Sequence, residues 1–244
     1  MLVGAVREPP NAQEAIFGRF AKRPYRDLKL MELLDIHTHY LSTGPGQAIQ
    51  NVFPADFAPQ PNQYYSVGYH PWYLSEDDSE DWNLLGAIIA NPQVLAVGEA
   101  GLDKVTEVDY SVQKKAFVRQ IEIAMQAGKP LIIHCVRSYN EVMEQKKAMK
   151  PTNPWIIHGF RGKKELAKQL TDHGIYLSYG FNYQKEALRA TPLNMLFLET
   201  DESNLDIHFL YQQIAGHLSL SVSELTEKVQ ENISNIFLVT RVGR

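Results

Sequence analysis

From Met31 onward, eight short apolar runs alternate with amphipathic or turn-rich stretches, and this alternation constrains the fold more than any other feature. The runs fall at 32–37, 47–52, 64–68, 94–98, 130–134, 154–158, 175–178 and 195–199. Each is rich in Val, Ile, Leu, Phe or Tyr and bounded by turn residues, the pattern of a β-strand. Between them, helices are expected at 79–90, 109–127, 138–149, 163–173, 184–190, 206–217 and 221–236. In the second of these, Val112, Ala116, Phe117, Ile121, Ala124 and Met125 recur at near-helical spacing, and Gly128 stops the helix. The last opens on Ser221-Val222-Ser223-Glu224, a capping-box pattern. Eight strands with intervening helices predict an α/β fold of the (β/α)8 TIM-barrel type. Only 24 residues separate His39 from Tyr64, and they must hold strand two and both its connections. The first two outer helices are therefore expected to be shortened or absent. A doubly wound open sheet is the alternative, but it usually carries a glycine-rich phosphate loop, and the sequence shows none.

At 244 residues the chain suits one large domain, with residues 31–244 as the barrel. Residues 1–30 fit the alternation poorly and are read as an N-terminal arm, with Met31 as a candidate natural start. No apolar stretch reaches the roughly 18 residues of a membrane span, and the N-terminus lacks an apolar signal-type core. The single cysteine, Cys135, excludes an internal disulfide framework and fits a reducing compartment. A cytoplasmic location is the expectation, with no membrane and no obligate protein partner. Net charge is −4 but uneven: residues 104–168 hold 13 Lys and Arg against 6 Asp and Glu, the remainder 11 against 22. Most of these lysines read as the solvated faces of outer helices. Lys104, Arg137, Arg161, Lys163 and Lys164 differ, because they follow strands directly and could meet an anionic ligand.

In a barrel, functional groups collect at the C-terminal ends of the strands. Strand one ends in Asp35-Ile36-His37-Thr38-His39, and alternation along a strand points His37 and His39 the same way. Strand three ends near His70, strand four at Gly98-Glu99, strand five at His134, strand six at His158, and strand eight at Glu199-Thr200-Asp201. Singly, each has an ordinary reading: a helix N-terminal carboxylate for Glu99, a hydrogen-bonded core imidazole for His134 or His158, an N-cap for Asp201. Together, several imidazoles and two carboxylates at one barrel mouth must be neutralised, and a metal does that. Four histidines and two carboxylates, one able to bridge, suit two cations. His173, His208 and His217 lie on helices or loops and read as surface or packing residues, and Cys135 as a buried inert thiol.

With these motifs the chain resembles the TatD family of metal-dependent hydrolases, among the amidohydrolase-like TIM barrels. The resemblance runs over about residues 31–238 and rests on DIHTH (35–39), GYHP (68–71), GEAGLD (98–103), IIHC (132–135), HGFRG (158–162), ETD (199–201) and Asn232 before Phe237. It implies a divalent-metal-dependent hydrolase, foremost a deoxyribonuclease that cleaves DNA phosphodiester bonds with a metal-activated water. His37, His39 and Asp201 would bind one ion, His134 and His158 the second, and Glu99 would bridge both. Asp201 would orient the attacking water and take its proton; Arg137 and Arg161 would contact phosphate. His70 would contact substrate or protonate the leaving group. The ions are read as Zn²⁺, Mn²⁺ or Mg²⁺, histidine-rich ligation favouring the first two.

Three departures touch the surroundings rather than the ligands. Val136 pushes the arginine to 137, one place later than the family's usual position. Glu202-Ser203-Asn204-Leu205 replaces the family's pattern after ETD, and Lys104 stands where an aromatic residue is frequent. The short 40–63 segment also removes a wall near the site. A small phosphoester, amide or lactone is accordingly the alternative substrate. A non-catalytic binding protein with a vestigial metal site is the third reading, disfavoured by the complete ligand set.

Overall fold

A computed structural model describes residues 34–40, 47–77 and 79–237. The expected N-terminal arm and the start at Met31 lie outside these residues. Eight parallel strands run in sequence order: β1 (Asp35–Thr38), β2 (Ala48–Val52), β3 (Tyr64–Val67), β4 (Val94–Asp103), β5 (Leu131–Val136), β6 (Trp155–Ile157), β7 (Ile175–Tyr179) and β8 (Leu196–Leu198). They form a nearly closed barrel. Seven described helices surround it: α1 (Trp82–Ile89), α2 (Tyr110–Ala127), α3 (Tyr139–Met149), α4 (Lys164–Asp172), α5 (Lys185–Ala190), α6 (Ile207–Leu218) and α7 (Val222–Phe237).

No outer helix stands among the described residues before β3: the β2–β3 connection carries only a 3-10 turn at Pro54–Asp56, as expected. Nine residues link β1 to β2, and 41–46 of them lie outside the described residues. Elsewhere the local chemistry matches the sequence. Asp109 caps α2 by accepting from Ser111 N at 2.7 Å, and Gly128 ends that helix at φ +64°. At α7 the capping box is reciprocal: Glu224 N donates to Ser221 Oγ at 3.2 Å, and Ser221 N donates to Glu224 Oε2 at 2.8 Å. Asn232, buried on α7, donates to the carbonyls of Leu193 and Leu196 at 2.7 and 2.9 Å and so ties the last helix to β8.

Strand β8 joins β1 by end contacts rather than a full ladder. Asp201 N donates to His37 O at 2.9 Å, and His39 N donates to Asp201 O at 3.1 Å. Deeper in the seam, the buried Asp35 carboxylate accepts from Thr200 Oγ1 at 2.6 Å, Thr200 N at 3.2 Å and His37 N at 3.1 Å. Tyr211 on α6 adds a hydrogen bond to Leu34 O at 2.9 Å. These bonds bring the ends of the first and last strands together, and with them three of the expected metal ligands. No described helix is long and apolar enough to cross a membrane. Lys114, Lys115 and Arg119 lie exposed on α2, as solvated outer-helix residues should.

Candidate metal centre

Glu99 stands at the centre of the C-terminal rim, and a distortion of β4 puts it there. Val97 pairs with Leu131 and Ala100 with Ile133, so three steps along β4 match two along β5. The extra residue is a β-bulge, which re-aims a side chain. The strand also runs five residues past its expected end at 98. Gly98 and Gly101 look like turn residues in the sequence, yet both serve close packing within the sheet. Gly98 sits at φ +146°, where a side chain is strained, and a Cβ there would come within 2.6 Å of Ile132 O. A methyl on Gly101 would collide with the carbonyl of His134.

Each Glu99 oxygen faces its own set of imidazoles. Oε2 lies 3.3 Å from His37 Nε2 and 3.5 Å from His39 Nε2. Across from them, Asp201 Oδ1 is 3.7 and 3.6 Å from the same two nitrogens. Oε1 lies 2.7 Å from His134 Nδ1, 2.7 Å from His158 Nε2 and 3.1 Å from His70 Nε2. The His134 and His158 nitrogens are 3.3 Å apart. The His37 ring, 4.3 Å from that of His158, forms the partition between the two lobes. All six residues expected to bind metal are therefore gathered around one carboxylate.

The residues fit divalent cations. His37 Nδ1, His37 Nε2 and Glu99 Oε2 are buried without a hydrogen-bond partner among the described residues, a costly state for polar atoms. Two ligand atoms about 2.1 Å from one ion at the tetrahedral angle are about 3.4 Å apart, close to the spacings in the first lobe. The mixed imidazole and carboxylate donors suit Zn²⁺ or Mn²⁺. Protonation tells the same story. Burial would lower the His158 pKa, but the charges of Glu99 and Glu199 outweigh it and hold the imidazole well above its usual range. Burial likewise would raise Glu99, yet the His158 charge and the hydrogen-bonding His134 and His158 imidazoles hold it well below the carboxylate range. A proton supplies between these groups the positive charge that a cation would bring.

Two carboxylates that the sequence reading assigned no role stand behind the histidines. Asp103 Oδ2 is 3.1 Å from His134 Nε2, and Glu199 Oε1 is 3.3 Å from His158 Nδ1. Asp103 also accepts from Trp72 Nε1 at 2.6 Å and Val105 N at 2.7 Å, while Glu199 accepts from Gly159 N at 2.5 Å. An ionised carboxylate only accepts, so each draws a hydrogen to the far ring nitrogen, and with a cation in place of the shared proton the near nitrogen would offer its lone pair to the site. Both residues sit inside the GEAGLD and ETD motifs. Position at a strand end was the available signal for Glu199; Asp103, five residues past the expected end of its strand, offered only its place in the motif.

His70 is set differently. Its Nδ1 accepts from Trp72 N at 3.2 Å, so Nε2 carries the hydrogen and donates to Glu99 Oε1. Burial lowers its pKa and keeps it neutral, against the pull of Glu99. Arg137 and Arg161 lie exposed on the loops after β5 and β6, and neither guanidinium forms an ion pair with a described residue. Arg137 occupies the left-handed region at φ +53°, as does Asp201 at φ +56°. Lys104, one of the loop cations, is paired with Glu141. His173 and His208 are exposed, His217 bonds the Tyr183 hydroxyl at 2.6 Å, and burial pushes the Cys135 thiol up to about 12.

A family model described as TatD related DNase matches residues 55–238. The chain is 26% identical over 198 residues to an uncharacterized metal-dependent hydrolase, YcfH, of Escherichia coli, covering 72% of this chain and 74% of that one. It is 32% identical over 166 residues to the 3'-5' RNA nuclease TATDN2 of Homo sapiens, covering 63% of this chain and 21% of that one. Among solved structures, YJJV, a TatD homolog of E. coli, superposes with a TM-score of 0.75 at 18% identity, covering 86% of this chain and 99% of that one. That last likeness speaks to the barrel alone.

Proposed function

Since the chain belongs to the TatD-related DNase family, we propose that it is a metal-dependent hydrolase that cleaves phosphodiester bonds in DNA. One observation carries the reading: the two oxygens of Glu99 face two separate ligand sets, one to each side. His37, His39 and Asp201 would hold one ion, His134 and His158 the other, with Glu99 between them. Divalent cations held there lower the pKa of water and neutralise charge on phosphoryl oxygens.

The chain's own residues do the rest. Asp201 and Glu99 divide the work by exposure, since the Asp201 side chain is 22% exposed and that of Glu99 2%. Asp201 is thus the carboxylate that incoming water meets, and it takes the proton as water adds to phosphorus and the P–O bond to the leaving oxygen breaks, that oxygen being protonated from solvent. Its left-handed backbone turns the side chain back toward His37 and His39. Glu99 stays ionised and fixes the two ligand sets relative to each other. His70, neutral with its hydrogen on Nε2, holds Glu99 by donation; a substrate oxygen that displaces Glu99 Oε1 from it would receive that hydrogen bond. Arg137 and Arg161, unpaired on the rim loops, are free to meet flanking phosphates.

The test is cleavage of end-labelled single-stranded DNA by purified protein with Mn²⁺, Mg²⁺ or Zn²⁺, beside EDTA controls and a panel of small phosphoesters, amides and lactones. RNA belongs in the same assay, because the human relative's name specifies it. Metal-dependent DNA cleavage that is lost in Glu99→Ala is the expected result. Turnover of a small ester with no cleavage of either nucleic acid would replace the substrate. Cleavage that survives both EDTA and Glu99→Ala would sink the metal chemistry.

A further inference from the structure

An aromatic wall stands beside the candidate metal centre. Its members are Trp72 and Tyr73, on the 3-10 turn after β3, and Phe53, just after β2. The Trp72 ring centroid is 4.9 Å from that of His70 and 5.6 Å from that of His134. Tyr73 lies 5.7 Å from His70, and Phe53 packs edge-on against Tyr73 at 5.3 Å. Despite these contacts Trp72 is 48% and Tyr73 68% exposed, whereas Trp82 and Trp155 are buried. The indole N–H is bonded to Asp103, so the exposed ring is held in one place rather than free to turn.

Large apolar surface left in water is unfavourable, and here it borders two imidazoles of the candidate metal centre. We propose that Trp72 and Tyr73 form a stacking subsite for an unpaired base of a single-stranded nucleic acid whose phosphate lies at the metal centre. This rests on the phosphodiesterase reading. One sugar separates a base from its own phosphate, the same scale as the step from the imidazoles to the wall. A duplex base is already stacked and paired, while a single-stranded base offers both faces. The wall presents rings, and the Trp72 N–H that could have read a base edge is already used by Asp103. Stacking there is accordingly indifferent to base identity. The same ring, through Asp103, supports His134, so the surface that grips a base also steadies a metal ligand.

The experiment separates gripping from cutting. In EDTA, intrinsic tryptophan fluorescence is titrated with a single-stranded thymidine oligonucleotide and with an abasic oligonucleotide of equal length. Stacking at one base predicts tighter binding of the thymidine strand by roughly 5- to 150-fold. Tyr73→Ala, which leaves the Trp72–Asp103 bond in place, should abolish most of that ratio, and Tyr73→Phe should restore it. In the metal-loaded protein, Tyr73→Ala should raise KM for the oligonucleotide about tenfold more than KM for a base-free phosphodiester. Equal affinity for the two strands, or equal weakening of both by Tyr73→Ala, would overturn the subsite. Oligonucleotide cleavage by the loaded wild type is scored separately. Its absence would remove the phosphodiesterase reading whatever the fluorescence shows; its presence without base-dependent binding would remove the stacking wall alone.

Discussion

Replacing Asp103 with Asn tests whether the carboxylate behind His134 sets the proton on that ring. The carboxylate is nearly fully buried and serves three donors: Trp72 Nε1 at 2.6 Å and His134 Nε2 at 3.1 Å on one oxygen, Val105 N at 2.7 Å on the other. Asn has the same shape but only one acceptor. With its oxygen toward Trp72 and His134, its NH₂ meets the Val105 N–H. Turned over, the NH₂ meets Trp72 and His134, and His134 must then accept at Nε2 and carry its hydrogen on Nδ1. That is the nitrogen aimed at Glu99 and His158, and a protonated nitrogen cannot ligate. The first orientation costs about 1–3 kcal/mol for a donor left unsatisfied; the second removes a ligand. Loss of such an outer partner typically weakens metal binding about 10- to 100-fold, or about 1.4–2.7 kcal/mol. Calorimetric titration with Mn²⁺ or Zn²⁺ after chelator treatment should show one binding phase weakened and the His37, His39 and Asp201 phase retained. Two unchanged phases would refute the tautomer argument, and equal weakening of both would mean a general loss of fold.

Two further expectations concern stability. Burial raises Asp35 from 3.8 to about 7, against hydrogen bonds from Thr200 and His37 that pull it down. Its folded pKa lies above its unfolded one, so the folded state holds the extra proton between them. The stabilisation from this group is complete below about pH 4 and is lost as pH rises through about 7. Urea unfolding in EDTA should show the stability advantage of wild type over Asp35→Asn shrinking across that window; a constant difference would refute it. Asn232→Ala removes the side-chain donor from the buried Leu196 carbonyl and from the partly buried Leu193 carbonyl, which keeps the Leu196 N–H. It should lower unfolding free energy by about 1–3 kcal/mol, and a loss under about 0.5 kcal/mol would deny that α7 is anchored this way.

The barrel was legible because each strand is an apolar run closed by turn residues, and the helix-free β2–β3 connection followed from the short distance between His39 and Tyr64. The six candidate ligands were legible because they end strands. The extension of β4 was not, since Gly98 and Gly101 carry the same letters as a turn while meeting close backbone approach. Asp103 and Glu199 stood in plain motifs, but spacing along a chain does not say which carboxylate faces which imidazole. Lys104 read as a free loop cation because Glu141, its partner, is distant in sequence. The aromatic wall was hidden for a similar reason: Trp72 and Tyr73 are ordinary apolar letters until their exposure is known.

The seam between β8 and β1 has a consequence for the chain as it is made. His37 and His39 emerge early, yet Asp201, which completes their set, lies more than 160 residues later, and Thr38 meets it only when the last strand docks. A partly synthesised chain holds the two histidines without their carboxylate and without the strand that positions it. The candidate centre is therefore finished at the moment the circle closes, and an unfinished polypeptide has no complete first lobe.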